Sequence, residues 1–201
     1  MTTATPVDDI TAVILAGGKA RRMDGEDKGL ITLHGRNMVE YILTALQPQA
    51  GNILINANRN HEQYGAYGLP VVADMLGDYF GPLVGMATGM HTTDKPYIVT
   101  VPCDSPFIPA TLVETLYHSL DSDQADISVA HDGSRIQPVF ALIRCELLPS
   151  LLSYLDEGGR KIDTWYNQQR LALADFSGSR DTFLNQNTPA DRLALENRIA
   201  G

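Results

Sequence analysis

Four short apolar runs, each ending at a glycine, an amide or an acid, constrain this chain more than any other feature. They are VIL at 13–15 ahead of Gly17 and Gly18, NILIN at 52–56 closing on Asn56, PVVA at 70–73 against Asp74, and YIVTV at 97–101 running into Asp104. Short runs that are apolar on both faces and rich in β-branched residues read as strands of a sheet covered on both sides. Helical periods lie between them, as in Val39, Ile42, Leu43 and Leu46, where Asn37 can cap the start and Pro48 and Gly51 end the pattern. Strand, helix, strand, helix predicts right-handed crossovers and helices on both faces of an open sheet. Ligands of such sheets bind beyond the carboxyl ends of the strands, where Gly17, Asn56, Asp74 and Asp104 all fall.

The segment 12–28, AVILAGGKARRMDGEDK, joins the first strand to a glycine turn and four cations, Lys19, Arg21, Arg22 and Lys28. Free amides beside cations suit a polyphosphate, although an ordinary glycine turn with solvated cations has the same composition. Neither GxxxxGK[ST] nor GxGxxG can be aligned to it. With a net charge of −9 the chain lacks the cation excess of a nucleic-acid-binding surface, so an anionic ligand needs local cations, amides or a metal. No apolar run approaches the roughly 20 residues that cross a bilayer, and the first residues lack the order of a secretory signal, so the expectation is a cytoplasmic protein away from membranes. Cys103 and Cys145 have no CxxC spacing, and the five histidines have no metal-ligand spacing.

The second half departs from simple alternation. A helix is expected at 109–120, then strands at 125–130 and 137–143 flanking His131-Asp132-Gly133-Ser134 as a hairpin or longer excursion. A leucine-rich amphipathic helix follows at 146–155, a break at Gly158-Gly159, a helix at 160–169 and a last strand at 171–176. Thr188 and Pro189 open a final helix. The length of 201 residues reads as one domain, with 1–8 as a flexible tail and 125–187 as the part that meets a second substrate.

LAGGKARRMDGEDK at 15–28 resembles the LAGGxxxRMGxxK signature of molybdenum cofactor guanylyltransferases, with Asp24 displacing the glycine that usually follows RM. GPLVGM at 81–86, VPCDSPF at 101–107 and NQNTP at 185–189 follow in the family's order, so the resemblance covers nearly the whole chain. It implies an α/β, three-layer Rossmann-like nucleotidyltransferase fold with a predominantly parallel mixed sheet. The implied activity is transfer of GMP from GTP to molybdopterin, or to its molybdenum-loaded form, with release of pyrophosphate. The resemblance assigns the guanine nucleotide to Leu15, Ala16, Gly17, Gly18, Asn56 and Asp74, with Gly81 and Gly85 letting backbone lie close to its base or ribose. It gives the reacting phosphates to Lys28 and Arg22 and magnesium to Asp104. Arg160 and Lys161 are candidate cations for the acceptor phosphate, and Asn185 and Asn187 are candidate polar contacts near the reacting centre.

The residue types suit that chemistry. The attacking phosphate is already ionised at neutral pH, so catalysis reduces to alignment and charge neutralisation and needs no serine–histidine pair. Asp104 offers a hard oxygen for magnesium, although an acid at a strand end also serves simply to cap a turn. Guanine presents adjacent N–H donors, for which Asp74 and Asn56 are acceptors. Three other readings share parts of this pattern: a cytidylyltransferase for the same cofactor, a sugar-phosphate nucleotidyltransferase, and a non-catalytic GTP-binding chaperone that delivers cofactor. Transient contact with cofactor-inserting proteins and molybdoenzymes is an expected consequence of making such a product.

Overall fold

The computed structural model describes residues 5, 7–17, 27–77, 81–185 and 189–199. Seven strands form one sheet: β1 (Ile10–Leu15), β4 (Asn52–Asn56), β5 (Val71–Val72), β6 (Tyr97–Pro102), β7 (Ile127–His131), β8 (Ile136–Arg144) and β9 (Leu171–Asp175). Two further strands, β2 (Thr32–Leu33) and β3 (Arg36–Asn37), make a small hairpin beside it. The helices are α1 (Met38–Leu46), α2 (His61–Gly65), α3 (Pro82–Thr92), α4 (Leu112–Ser122), α5 (Leu148–Asp156), α6 (Ile162–Tyr166) and α7 (Pro189–Ile199).

The sheet order is β5-β4-β1-β6-β8-β7-β9, and only β8 runs against the others. The strands bury both faces, as their composition requires. Ile10, Ala12, Ile14, Ile53, Ile55, Val99 and Val101 face a core shared with α1 and α4. Val13, Leu54, Ile98, Ile127, Val129, Ala141 and Ile143 face a second core with α3, α5 and α6. Because successive strand residues alternate between the faces, these two cores are the two sides of a three-layer sandwich. Each fully buried valine, leucine or isoleucine in them contributes about 1.5–3 kcal/mol. α7 lies over the small hairpin, where Leu195 packs with Ile31, Leu33 and Met38.

Register decides where the site forms. Leu15 stands opposite both Asn56 of β4 and Pro102 of β6, so the three strands end level. The ladder runs one step further: Ala16 N donates to Asn56 O at 2.8 Å and Cys103 N donates to Leu15 O at 3.2 Å.

Several elements differ from the sequence expectation. The stretch 29–33 is not extended throughout: Asp27 accepts from Gly29 N and caps a 3-10 turn at Lys28–Leu30, leaving only Thr32–Leu33 as strand. The strand at 70–73 shrinks to Val71–Val72 at the sheet edge. α4 starts at Leu112, because the Pro109 carbonyl is used in a preceding turn and by the Gln49 amide at 2.9 Å. The helix expected at 160–169 is only Ile162–Tyr166, since Gly158 at φ 89° and an extended Lys161 carry the chain away before it. Arg160 and Lys161 therefore precede that helix instead of lying on its surface. The excursion around 131–134 is a tight link between antiparallel β7 and β8, with a register shift between Val129 and Ala130. The Thr188 cap lies outside the described residues.

Candidate active site

At the level ends of β1, β4 and β6 the structure gathers two groups. In the first, Lys28 Nζ meets Asp104 Oδ2 at 2.7 Å, with side-chain exposures of 30% and 12%. Strand β6 delivers Asp104, two residues past its end. The 3-10 turn capped by Asp27 delivers Lys28. Next to Asp104, the buried Ser105 hydroxyl donates to Asn185 Oδ1 at 2.5 Å, which draws the chain after β9 to the same point. Gly17 after β1 and Asp104 after β6 thus lie at one end of the sheet, and a cation and a carboxylate are already paired there.

The second group surrounds Asp74. Asn56, only 2% exposed, donates through Nδ2 to Asp74 Oδ1 at 2.9 Å and to Val72 O at 3.3 Å. Asn58 Nδ2 donates to Asp74 Oδ2 at 2.7 Å, and Asp74 N donates back to Asn58 Oδ1 at 2.8 Å. A carboxylate has about four acceptor sites, so one amide on each oxygen orients Asp74 and leaves capacity for further donors. Gly17 lies against this group: a Cβ there would stand 3.1 Å from Asn58 Nδ2 and 3.6 Å from Asp74 Oδ1.

Asp27, 7% exposed, is the hub that sequence reading passed over. Its Oδ1 accepts from Tyr64 Oη at 2.6 Å and its Oδ2 from Asn60 Nδ2 at 2.9 Å, while Arg59 Nε lies 3.5 Å from Oδ2. Burial, together with the nearby Cys103 and Asp27, pushes the Tyr64 hydroxyl pKa upward, so it remains a donor. Cys103 is also buried, and its thiol is pushed up by burial and by the adjacent Asp104 and Asp27. It behaves as a small apolar residue and not as a nucleophile.

The remaining candidates divide. Gly18, Arg22 and Asn187 lie outside the described residues. Leu15 contributes its carbonyl to the sheet and packs against the second core, and the amide of Ala16 is committed to Asn56 O. Gly81 caps α3 at φ 77°, a conformation that favours glycine, and a Cβ there would meet nothing within 4 Å. Gly85 lies tight against the strand ends. A Cβ would come within 2.4 Å of Asn56 Oδ1 and 2.7 Å of Leu15 Cδ2, so this glycine lets helix α3 approach the strand ends. Arg160 donates to Leu155 O at 2.8 Å at the end of α5, and it lines a cleft of about 650 Å³ with Leu76, Gly77, Leu152 and Asp156. Lys161 is exposed beside it.

Asn58, Arg59, Asn60 and Tyr64 were all missed. The visible signal was the amide-rich ANRN that continues past strand NILIN, because polar residues just beyond a strand end in this fold class face the ligand side. Among the described residues no group of three or more His, Cys, Asp or Glu side chains comes together. Nor, among them, is any helix long and apolar enough to cross a membrane.

Residues 12–171 match the MobA-like NTP transferase domain family. The molybdenum cofactor guanylyltransferase of Shewanella sediminis is 47% identical over 191 residues, covering 95% of this chain and 97% of that protein. Its counterpart in Shewanella halifaxensis is 45% identical over 191 residues, covering 95% and 96%. Among solved structures, molybdopterin-guanine dinucleotide biosynthesis protein A from Archaeoglobus fulgidus superposes with TM-score 0.78 at 19% identity, covering 94% of this chain and 98% of that one. The 4-diphosphocytidyl-2C-methyl-D-erythritol synthase of Anaerococcus prevotii has TM-score 0.75 at 12% identity, covering 97% and 98%. At such identities the two structures speak for the fold alone, which is the three-layer nucleotidyltransferase sandwich described above.

Proposed function

Because the chain belongs to the MobA-like NTP transferase family, we propose that it transfers GMP from GTP to the molybdenum cofactor, forming the guanine dinucleotide of that cofactor and pyrophosphate. The observation that carries this reading is the Lys28–Asp104 pair at 2.7 Å, standing at the same sheet end as Gly17, Asn56 and Asp74. A base acceptor and a phosphate site at one end of one sheet are what a nucleoside triphosphate requires.

In this mechanism Asp74, held by Asn56 and Asn58, accepts from the adjacent N–H donors of guanine through its remaining acceptor sites. The turn at Gly17 lets the backbone lie close to the nucleotide. A terminal phosphate oxygen of the cofactor attacks the α-phosphorus in line, a P–O bond forms, and the bond to the β-phosphate oxygen breaks with its electron pair leaving on pyrophosphate. No proton need be removed, so the protein supplies alignment and positive charge. Lys28, with Arg22 from the same loop, neutralises the charge that grows on the leaving pyrophosphate. Asp104, a hard oxygen donor, would hold magnesium, which when bound would supply positive charge against the phosphates. Asn185, fixed by Ser105, and Asn187 contact the reacting centre from the acceptor side. Arg160 and Lys161 meet the acceptor phosphate at the cleft beyond Leu76. Residues 125–187 form the acceptor-binding part of a single transferase domain, and the product passes onward to the proteins that insert it.

The test is direct. The purified protein with magnesium and molybdenum cofactor should release pyrophosphate from GTP and yield the guanine dinucleotide, with CTP at least tenfold less effective, the ratio that about 1.4 kcal/mol of base discrimination gives. Turnover with CTP but not GTP would reassign it as the cytidylyl enzyme. Unaltered cofactor delivery by Asp104→Ala, without any transfer by the wild type, would favour the chaperone reading.

A further inference from the structure

We infer that the segment 58–64, which enters and forms α2, is a clamp that holds both ends of the glycine-rich loop and so sets guanine recognition and the placement of Lys28 through one element. The inference rests on the guanylyl-transfer reading for the identity of the ligand, but its contacts stand independently of that reading.

At the first end, Asn58 is bound on both sides of its amide. Its Nδ2 donates to Asp74 Oδ2 at 2.7 Å and to Gly17 O at 3.3 Å, while its Oδ1 accepts from Asp74 N at 2.8 Å. One side chain therefore ties the last residue described before the loop to the carboxylate that accepts the base. At the other end, Asp27 is the first residue described after the loop, and three residues of the same segment hold its carboxylate. Tyr64 Oη donates at 2.6 Å, Asn60 Nδ2 donates at 2.9 Å, and Arg59 Nε lies at 3.5 Å. Asn60 adopts φ 56°, ψ 32°, a left-handed conformation that asparagine tolerates better than most residues. Asp27 in turn caps the turn that begins with Lys28, whose ammonium reaches Asp104. Segment 58–64 thus joins two sets of contacts, Asn58 with Asp74 and Gly17 at one end, and Arg59, Asn60 and Tyr64 with Asp27 at the other, from which the capped turn leads through Lys28 to Asp104.

These are positioning residues: none is assigned contact with substrate. The two ends should separate in the kinetics. Asn58→Ala removes the donor to Asp74 and should weaken GTP binding about tenfold and reduce the preference for GTP over ITP, which lacks the 2-amino group. Asn58→Asp keeps the shape but sets a carboxylate against Asp74, so it should bind GTP more weakly than Asn58→Ala does. A purely packing role predicts the reverse order, because the isosteric change is then the milder one. Tyr64→Phe removes the shorter of the two hydrogen bonds to Asp27 Oδ1, leaving the one from Gly29 N at 3.3 Å, and should lower kcat about threefold to tenfold while GTP affinity stays within twofold.

Calorimetric titration of GTP, CTP and ITP into each folded variant, beside steady-state kcat and a melting curve, decides the matter. The inference is overturned if Asn58→Asp binds GTP at least as well as Asn58→Ala. It is also overturned if the losses track only the folded fraction, or if Tyr64→Phe leaves kcat unchanged. A wild type that does not prefer GTP to CTP overturns the base assignment instead, and in that case the order of triphosphate affinities in the two Asn58 variants still decides the clamp.

Discussion

Replacing Gly85 and Gly89 by alanine separates packing from recognition within one helix. The two glycines lie four residues apart, on the side of α3 that meets the sheet. A Cβ at Gly89 would stand 2.7 Å from Val13 Cγ2 and 3.2 Å from Cγ1, whereas one at Gly85 would stand 2.4 Å from Asn56 Oδ1 and 2.7 Å from Leu15 Cδ2. The closest contact at each glycine is shorter than an ordinary van der Waals separation by about 1 Å, and overpacking of that order costs about 1–3 kcal/mol. Removing a glycine from a helix interior returns roughly 0.5–1 kcal/mol. Both variants should therefore lose up to about 2 kcal/mol, visible as a lower urea midpoint and a melting temperature reduced by about 2–4 °C per kcal/mol. Ligand binding should differ. At Gly89 the displaced atoms are methyl groups of a core valine, and GTP affinity should stay within about twofold of wild type. At Gly85 the displaced atom belongs to the amide that holds Asp74, whose bond of 2.9 Å would be broken or lengthened. Losing one such bond to a charged acceptor is about 1.5–3 kcal/mol, so GTP affinity should fall about tenfold or more. Isothermal titration of GTP into each variant, at a temperature where both are folded, provides the comparison. Equal losses of GTP affinity in the two variants, or wild-type affinity in Gly85→Ala, would refute the claim that Gly85 matters through Asn56.

Two further outcomes follow from charge and burial. Asp132 is held down to about 2 by the backbone amides of Arg135 and Ser134 and by Gln137, so its contribution to stability is complete above the ordinary value of 3.8 and is lost as pH falls through the folded value. Asp132→Asn should thus be less stable than wild type at pH 6, with a gap that closes between about pH 4 and 2; urea midpoints across that range measure it, and a constant gap would contradict the assignment. Burial raises the thiol of Cys145 to about 12 and that of Cys103 higher still, so in the native protein at pH 8 both should alkylate at least about 100-fold more slowly than after denaturation; prompt labelling of Cys103 by iodoacetamide would show that its surroundings open.

The sheet was legible because its signals are local. NILIN becomes a strand of those same five residues, and the first and fourth runs become neighbouring parallel strands, as alternation of strand and helix leads one to expect. The short β5 and the truncated helix at 162–166 were harder, since edge pairing and the turn at Gly158 are decided by tertiary contacts and not by period. The site was half legible. Asn56, Asp74, Lys28 and Asp104 stand at strand ends or within a recognisable loop, and they come together in the structure. Asn58 and Tyr64 were not legible, because their partners Asp74, Gly17 and Asp27 lie 16, 41 and 37 residues away. The packing at Gly85 was not legible for a related reason: its absent side chain makes room for Asn56 and Leu15, and nothing in the sequence indicates which surface approaches a glycine.

A structure of the protein bound to GTP and magnesium tests the central claim most directly. The account predicts the guanine edge on the carboxylate of Asp74, the triphosphate running past Gly17, and the metal on Asp104 with Lys28 Nζ on a phosphate oxygen. A nucleotide bound with its phosphates away from Lys28 and Asp104, or with its base on any other part of the sheet, would contradict it.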